Sequence, residues 1–119
     1  PMYEVNTVAV AVLERMLDFV PEIQASVQRL NAGRDGFLDA MESLSLPTVR
    51  ARGNFLHVAF GADEPAVFQA LESLVLYRRD GFEACLRGYS RFSASTTTLL
   101  APVIARITDV VNGARAGGR

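Results

Sequence analysis

The chain has 119 residues, 50% of them hydrophobic, which is enough for one domain with a single core. Its formal net charge of −1 and its pI near 5.8 give no general attraction to nucleic acid or to an anionic membrane, and neither is expected as a partner. Cys85 is the sole cysteine, so an internal disulfide is excluded. A lone cysteine fits a reducing compartment, and we expect a cytoplasmic protein.

The first third of the chain predicts two helices. Apolar residues recur every three or four positions from Val5 to Leu44, which is the spacing of one helical face. Asn6 is a suitable N-cap because its side-chain oxygen can accept a free backbone N–H. Pro21 lacks an N–H and predicts a break just before it. The two expected helices cover residues 7–19 and 21–44.

After Pro47 the pattern changes to short extended segments separated by Pro and Gly. Asp63 and Pro65 mark the start of a further helix, and a Thr-rich stretch starts the last one. The predicted strands cover residues 48–52, 54–60, 74–79 and 88–95. The predicted helices cover residues 64–74 and 96–112, and residues 113–119 are expected to form a flexible tail.

The resulting order α-α-β-β-α-β-β-α predicts a single α+β domain over residues 1–112. Two N-terminal helices precede a small, mainly antiparallel sheet of three or four strands. Helices are expected to cover the sheet on one side. The chain opens on Pro1 rather than on Met, which suggests either processing or a domain of a longer protein.

The strongest indication of function lies in residues 76–98, where Arg91 occupies the middle of a predicted strand between small serine neighbours. An arginine in this setting suits a carboxylate or a phosphate, because its planar fork of donors can engage two oxygens at once. The alternative is a structural ion pair of Arg91 with Asp80 or Glu83 at the sheet edge.

Four segments carry a resemblance to a known family, in the same order and at compatible spacing: PMYEVN (1–6), RARGNFLHV (50–58), LYRRD (76–80) and YSRFSAS (89–95). They resemble the P-Y-x-V-N, S-x-A-N-F-[LV]-L-V, L-R-D and L-R-I-[TS]-V-G segments of the C-terminal small domain of fold-type I PLP-dependent aminotransferases, especially the histidinol-phosphate aminotransferase branch. Two departures are Ala94-Ser95 in place of Val-Gly, and Thr97-Thr98 in place of the usual Pro-Glu.

The resemblance implies roles for three residues of this chain. Arg91 would bind the substrate α-carboxylate in a bidentate manner, and Arg79 would help to bind the substrate's acidic head group. Asn54 would lie near the substrate or support the arginine. Simpler alternatives remain open: a solvated or ion-paired Arg79, and an Asn54 bonded to nearby backbone. We expect His57 to be a packed or edge residue rather than a catalyst.

The resemblance also implies that the whole enzyme is a homodimer that uses pyridoxal 5'-phosphate (PLP). It would transfer an amino group between an amino acid and a 2-oxo acid or a phosphorylated ketone. PLP enzymes hold the cofactor as a Schiff base on a lysine, but all 12 basic residues here are arginine. We therefore expect no covalent cofactor and no activity in this segment alone, and a PLP-binding large domain N-terminal to it as partner.

Two other functions are compatible with the sequence. One is a PLP-dependent decarboxylase of a phosphorylated amino acid, which would share the carboxylate-binding arginine. The other is a non-catalytic, stand-alone ligand or interaction module. No metal site is expected, since the chain has no Cys/His set and no paired-carboxylate loop. No catalytic residues are expected in this segment either.

Overall fold

The described part of the chain has an α+β fold in which a small three-stranded antiparallel sheet lies against helices. A computed structural model describes residues 6–75 and 84–118. Its helices and strands, in chain order, are α1 (Thr7–Met16), α2 (Val20–Ser43), β1 (Thr48–Val49), β2 (Phe55–Val58), α3 (Glu64–Leu71), β3 (Ser90–Ser93) and α4 (Thr97–Ala116).

The two N-terminal helices are separated at the position that Pro21 predicts. A single turn of 3₁₀ helix, Leu17–Phe19, joins α1 to α2, and Pro21 lies in the first turn of α2, where its missing N–H costs nothing. Asn6 caps α1 as expected, since its Oδ1 accepts the backbone N–H of Val8 at 2.9 Å. The break and the cap are both confirmed.

The sheet has the order β1-β2-β3 and two different faces. Leu56, Val58 and Phe92 point to one face and are almost fully buried. On the other face the register pairs Phe55 with Ser93 and His57 with Arg91. Because successive side chains of a strand alternate between faces, one face lies against the helices, and the other has no helix over it within the described residues. Helical cover on one side of the sheet is confirmed.

The core lies between the buried sheet face and three helices: the second half of α2, together with α3 and α4. The Phe92 ring centroid lies 5.4 Å from that of Phe37 on α2 and 6.1 Å from that of Phe60 after β2. These tilted and edge-on aromatic contacts stabilise the sheet against the helices. The buried helical residues are Phe37, Leu38, Met41, Val67, Leu71, Leu100, Val103, Ile107 and Val111.

Gly33 allows α2 to approach the start of α4 closely. A Cβ at this position would overlap the carbonyl oxygen of Ser95 and lie 2.8 Å from backbone atoms of Thr96 and Thr97. Backbone atoms cannot move aside as the end of a flexible side chain can, so the helix needs glycine here. Gly36, one turn later, has nothing within 4 Å of such a Cβ.

Several elements are shorter than the sequence predicts: α1 ends at Met16, and the strands are Thr48–Val49, Phe55–Val58 and Ser90–Ser93. Further differences concern α3, the strand expected after it, and α4. The strand expected over 74–79 does not begin at Leu74: the N–H groups of Leu74 and Val75 donate to the carbonyl of Leu71 and close α3, which ends at Leu71 rather than at residue 74. Residues 76–79 lie outside the described part. The helix α4 continues to Ala116, so residues 113–116 of the expected flexible tail are helical.

The longer α4 has a physical cause. The Arg115 side chain donates a hydrogen bond to the carbonyl of Leu44, just after the end of α2. This contact joins the C-terminal ends of two helices, and a cation in a last helical turn also interacts favourably with the helix dipole. Composition alone predicted a tail because Gly and Ala dominate it, but composition does not show a partner 71 positions away.

The helix α1 has no buried residue. Val8 and Leu17 are each 71% exposed and Leu13 is 60% exposed. The radius of gyration of 17.7 Å exceeds the ~13–14 Å expected for a compact chain of this length. The molecule is accordingly elongated, with extents of 59 × 34 × 25 Å. Within the described residues, none of the helices combines the length and hydropathy needed to cross a bilayer.

Candidate anion-binding site

Arg91 lies on the uncovered face of the sheet, near the middle of β3. Its guanidinium carbon is 4.2 Å from the centroid of the Phe55 ring on β2, and its side chain is half-buried. A guanidinium at this distance from an aromatic ring is attracted to the ring's electron-rich face. The contact restricts the Arg91 side chain to the region above the Phe55 ring.

Arg91 lies in β3 and Arg50 directly follows β1, but the two side chains have different charged neighbours. Arg50 donates to Glu42 at 2.7 and 2.8 Å and also pairs with Asp39. These contacts raise the pKa of Arg50 and lower that of Glu42, chiefly through the hydrogen bonds between them. Among the described residues, no carboxylate lies within ion-pair distance of Arg91. Within the described ranges, Arg50 is paired with carboxylates and Arg91 is not.

The structural alternative for Arg91 involved Asp80 and Glu83. Both lie outside the described residues, so the ion pair with either of them stays a prediction. Arg79 and the first five residues of the PMYEVN segment also lie outside the described part. The proposed head-group role of Arg79 therefore remains an expectation from the resemblance.

His57 lies directly across from Arg91 on the same uncovered face. Its ring is half-buried, and its Nδ1 is buried without a hydrogen-bond partner among the described residues. Burial lowers the pKa of the His57 imidazole, and the positive charge of Arg91 lowers it further. The imidazole is therefore neutral near pH 7, which removes the repulsion that two cations at opposite positions would cause.

Asn54 occupies a bend before β2 and is exposed. Its backbone carbonyl accepts the N–H of Ala94 at 2.7 Å, which holds the loop against the end of β3. Its side chain makes no hydrogen bond within the described stretches. The register places Phe55 and His57 beside Arg91, while Asn54 lies at the level of Ala94.

The sequence located Arg91 but missed its surroundings. The alternation of residues in β2 put Phe55 and His57 on one face, yet their place beside Arg91 depends on the pairing of β2 with β3. Sequence alternation cannot fix that register, because α3 and a long connection separate the two strands. The contact of Arg91 with the Phe55 ring and the position of His57 opposite Arg91 are therefore known only from the structure.

A second cationic opening lies between α2 and the loop before β2. It encloses a cavity of about 460 Å³, lined by Val27, Asn31, Arg34 and Arg52. The Arg34 side chain is only 15% exposed, and its Nε donates to Asp35 at 2.9 Å. Helical spacing places residues 27, 31 and 34 on one side of α2, but nothing in the sequence joins them to Arg52.

No protein-family model matches the chain, and a search of curated proteins finds no match either. The resemblance to aminotransferases therefore depends on the four segments described above and stays a prediction. Within the two described ranges, no group of three or more His, Cys, Asp or Glu residues is placed to hold a metal ion.

Proposed function

We propose that the chain is the C-terminal domain of a PLP-dependent aminotransferase of the histidinol-phosphate aminotransferase-like kind, and that Arg91 binds the substrate carboxylate. The observation that carries this proposal is the setting of Arg91: it lies on the uncovered sheet face, rests against Phe55, and has no carboxylate partner among the described residues. The α+β architecture with a small antiparallel sheet supports the corresponding small-domain fold.

The chemistry proposed for Arg91 is capture and orientation. Two parallel N–H donors can engage both oxygens of a carboxylate in one plane, which fixes the rotation of the substrate as well as its position. The contact with the Phe55 ring limits the arginine's own freedom before the substrate arrives. Less conformational entropy is then lost on binding, and the amino or oxo carbon is presented in one orientation.

The residues of this chain do not fit a covalent PLP site. There is no lysine among the 119 residues, so no side chain can form the Schiff base that carries the chemistry of these enzymes. In the proposal, the cofactor belongs to a large N-terminal domain of the same protein, and no catalytic step is assigned to the present residues. The complete enzyme would act on an amino acid and a 2-oxo acid or phosphorylated ketone, as a homodimer.

The exposed surface of α1 supports a neighbouring domain of this kind. Val8 and Val12 lie on one side of the helix, and Val10 and Leu13 lie on another, because residues two apart are separated by about 200°. A helix that is apolar on more than one side is normally surrounded by protein. A large domain that receives α1 would bury these side chains.

A non-catalytic ligand-binding module is the second candidate, and the absence of lysine favours it. No observation favours the decarboxylase over the aminotransferase, because Arg91 would bind the substrate carboxylate in both reactions. The module and the aminotransferase domain share the anion site at Arg91 but differ in whether a PLP-containing partner completes the enzyme.

Binding of pyruvate, a 2-oxo acid, tests the anion site in the chain itself. Nuclear magnetic resonance (NMR) shift titration should detect binding near Phe55 and Arg91. Arg91→Lys should weaken it by roughly 10- to 100-fold, since one charge-assisted hydrogen bond and its planar geometry are lost. Arg106→Lys, a change at an exposed position of α4, is the matched control. Equal affinity of the Arg91→Lys variant and the unmodified chain would refute the site.

A further inference from the structure

His57 and Arg91 occupy facing positions on adjacent strands, and the buried Nδ1 of His57 has no hydrogen-bond partner within the described residues. We propose that the two residues act as a pair, in which His57 takes up a proton when a carboxylate binds to Arg91. The inference rests on the proposed function, because it takes the anion at Arg91 as given. It adds a second binding residue and a pH dependence to that site.

The geometry brings His57 within reach of the anion. Directly opposed residues of antiparallel strands have Cβ atoms roughly 5 Å apart, and the register pairs His57 with Arg91. The contact with Phe55, two residues before His57, keeps the guanidinium over the same part of β2. A carboxylate bound to that guanidinium would lie on the same sheet face as the imidazole.

The positive charge that acts on His57 is neutralised when the anion binds. On β3 the facing group is Arg91, and on β1 it is Val49, which has no charge. Arg50, the next residue after β1, is already paired with Asp39 and Glu42. Among the described residues, the charged group that acts on His57 in the free protein is therefore Arg91, which lowers the pKa of the imidazole. A bound carboxylate cancels this charge and adds an acceptor for an imidazolium N–H.

The unpartnered Nδ1 supports the same pairing. A buried polar atom without a partner is uncommon in proteins and calls for an explanation, of which a missing ligand is one. Proton uptake converts the imidazole to an imidazolium, which donates from both nitrogens. The imidazolium would donate to the carboxylate from the nitrogen that faces it, in addition to the two donors of Arg91.

Linkage fixes the direction of the effect. Since the bound anion raises the pKa of His57, binding takes up a proton and is tighter at low pH. The affinity rises as pH falls through the pKa that His57 has in the anion-bound protein. The rise is complete below the pKa that His57 has in the free protein. A shift of about one unit, as a neighbouring opposite charge produces, corresponds to roughly tenfold tighter binding near pH 5 than near pH 8.

The test is direct because His57 is the only histidine in the chain. Its imidazole proton resonances, followed by NMR against pH, report its pKa without assignment. Pyruvate is a suitable probe since it stays ionised over the whole range, with chloride keeping the ionic strength constant in the reference sample. Saturating pyruvate should raise the pKa of His57 by about one unit, and the affinity should fall as pH rises.

Two variants separate this inference from the proposed function. Arg91→Gln should raise the pKa of His57 without pyruvate and abolish the response to it, whereas Arg106→Gln should do neither. His57→Gln should remove the pH dependence of pyruvate affinity. If pyruvate binds through Arg91 but leaves the pKa of His57 unchanged, the pairing is wrong and the carboxylate site stands. If Arg91→Gln binds pyruvate as tightly as the unmodified chain, the site itself is wrong.

Discussion

At the residue scale, Arg50 and Arg91 differ in the partners that they have among the described residues. Arg50 contacts two carboxylates of α2, Asp39 and Glu42. Arg91 contacts an aromatic ring and faces a neutral histidine instead. The sequence alone does not distinguish the two arginines. The structure shows that Arg50 makes ion pairs and leaves Arg91 as the candidate for anion binding.

His57 makes the stability of the free chain depend on pH. Because its pKa is lowered in the folded state, the unfolded state binds more protons near pH 6. The contribution of a neutral His57 is fully present above its ordinary pKa of about 6.5 and is lost as pH falls through the lowered value. We expect the urea midpoint to decrease over this interval in the unmodified chain and to be flatter in His57→Gln.

Glu42 provides a check on that measurement. Its pKa is lowered from 4.5 by hydrogen bonds from Arg50 and Thr48, so its stabilising contribution is lost at more acidic pH. Glu42→Gln should alter the acid part of the profile and leave the part near pH 6 unchanged. An equal slope near pH 6 in His57→Gln and in the unmodified chain would show that another group is responsible.

At the element scale, the central contact is the one between α2 and the start of α4 at Gly33. Gly33→Ala should destabilise the chain by about 1–3 kcal/mol, because the added methyl group meets backbone atoms of residues 95–97. Gly36→Ala should stabilise it by about 0.5–1 kcal/mol, since alanine is the better helix former and the position is open. Urea denaturation of the two variants gives both values, and similar values would contradict the close approach.

The predictability of the elements follows from the distance over which each signal acts. The cap at Asn6 and the break before Pro21 are local, and the sequence predicted both. The apolar residues after Leu71 predict a strand, but in the structure Leu74 and Val75 complete the turn that closes α3. The end of α4 depends on a contact between Arg115 and Leu44, which no local pattern contains.

The candidate site divides in the same manner. Arg91 was recognised from its strand position and its neighbours along the chain. Its relation to Phe55 and His57 depends on the register of β2 and β3, which the core residues Leu56 and Phe92 determine by facing the helices. Register is a property of the packed sheet, so sequence reasoning identified the residue without its surroundings.

At the scale of the whole molecule, the apolar stripe that predicted the first two helices is only partly used. Its C-terminal part, including Phe37 and Met41, enters the core, whereas its N-terminal part, including Leu13 and Leu17, stays exposed. The elongated shape has the same origin, because α1 projects from the remainder of the described fold. The described core therefore leaves α1 exposed.

The exposed α1 should cause the isolated chain to self-associate. Large exposed apolar patches tend to find a substitute partner when the natural one is missing. Light scattering against concentration should show association that Leu13→Gln combined with Leu17→Gln reduces. Leu99→Gln is the matched control, because Leu99 is 66% exposed but lies on α4. A strict monomer at high concentration would contradict the expectation.

The chain should not bind PLP covalently, since it contains no lysine. Incubation with PLP, borohydride reduction and mass spectrometry should find no modified internal residue. Reaction at the terminal amine serves as the internal reference for non-specific labelling. A reduced adduct on any internal side chain would contradict the assignment of the cofactor to another domain.

The central claim, that Arg91 binds the substrate carboxylate of an aminotransferase, is tested most directly by the kinetics of Arg91→Lys in the complete enzyme. Lysine keeps the charge but cannot engage both carboxylate oxygens in one plane. The account predicts a loss of roughly 2–4 kcal/mol in kcat/KM for the amino-acid substrate, a factor on the order of 30–1000, with PLP binding little changed. A near-normal kcat/KM, or a loss of PLP instead, would contradict it.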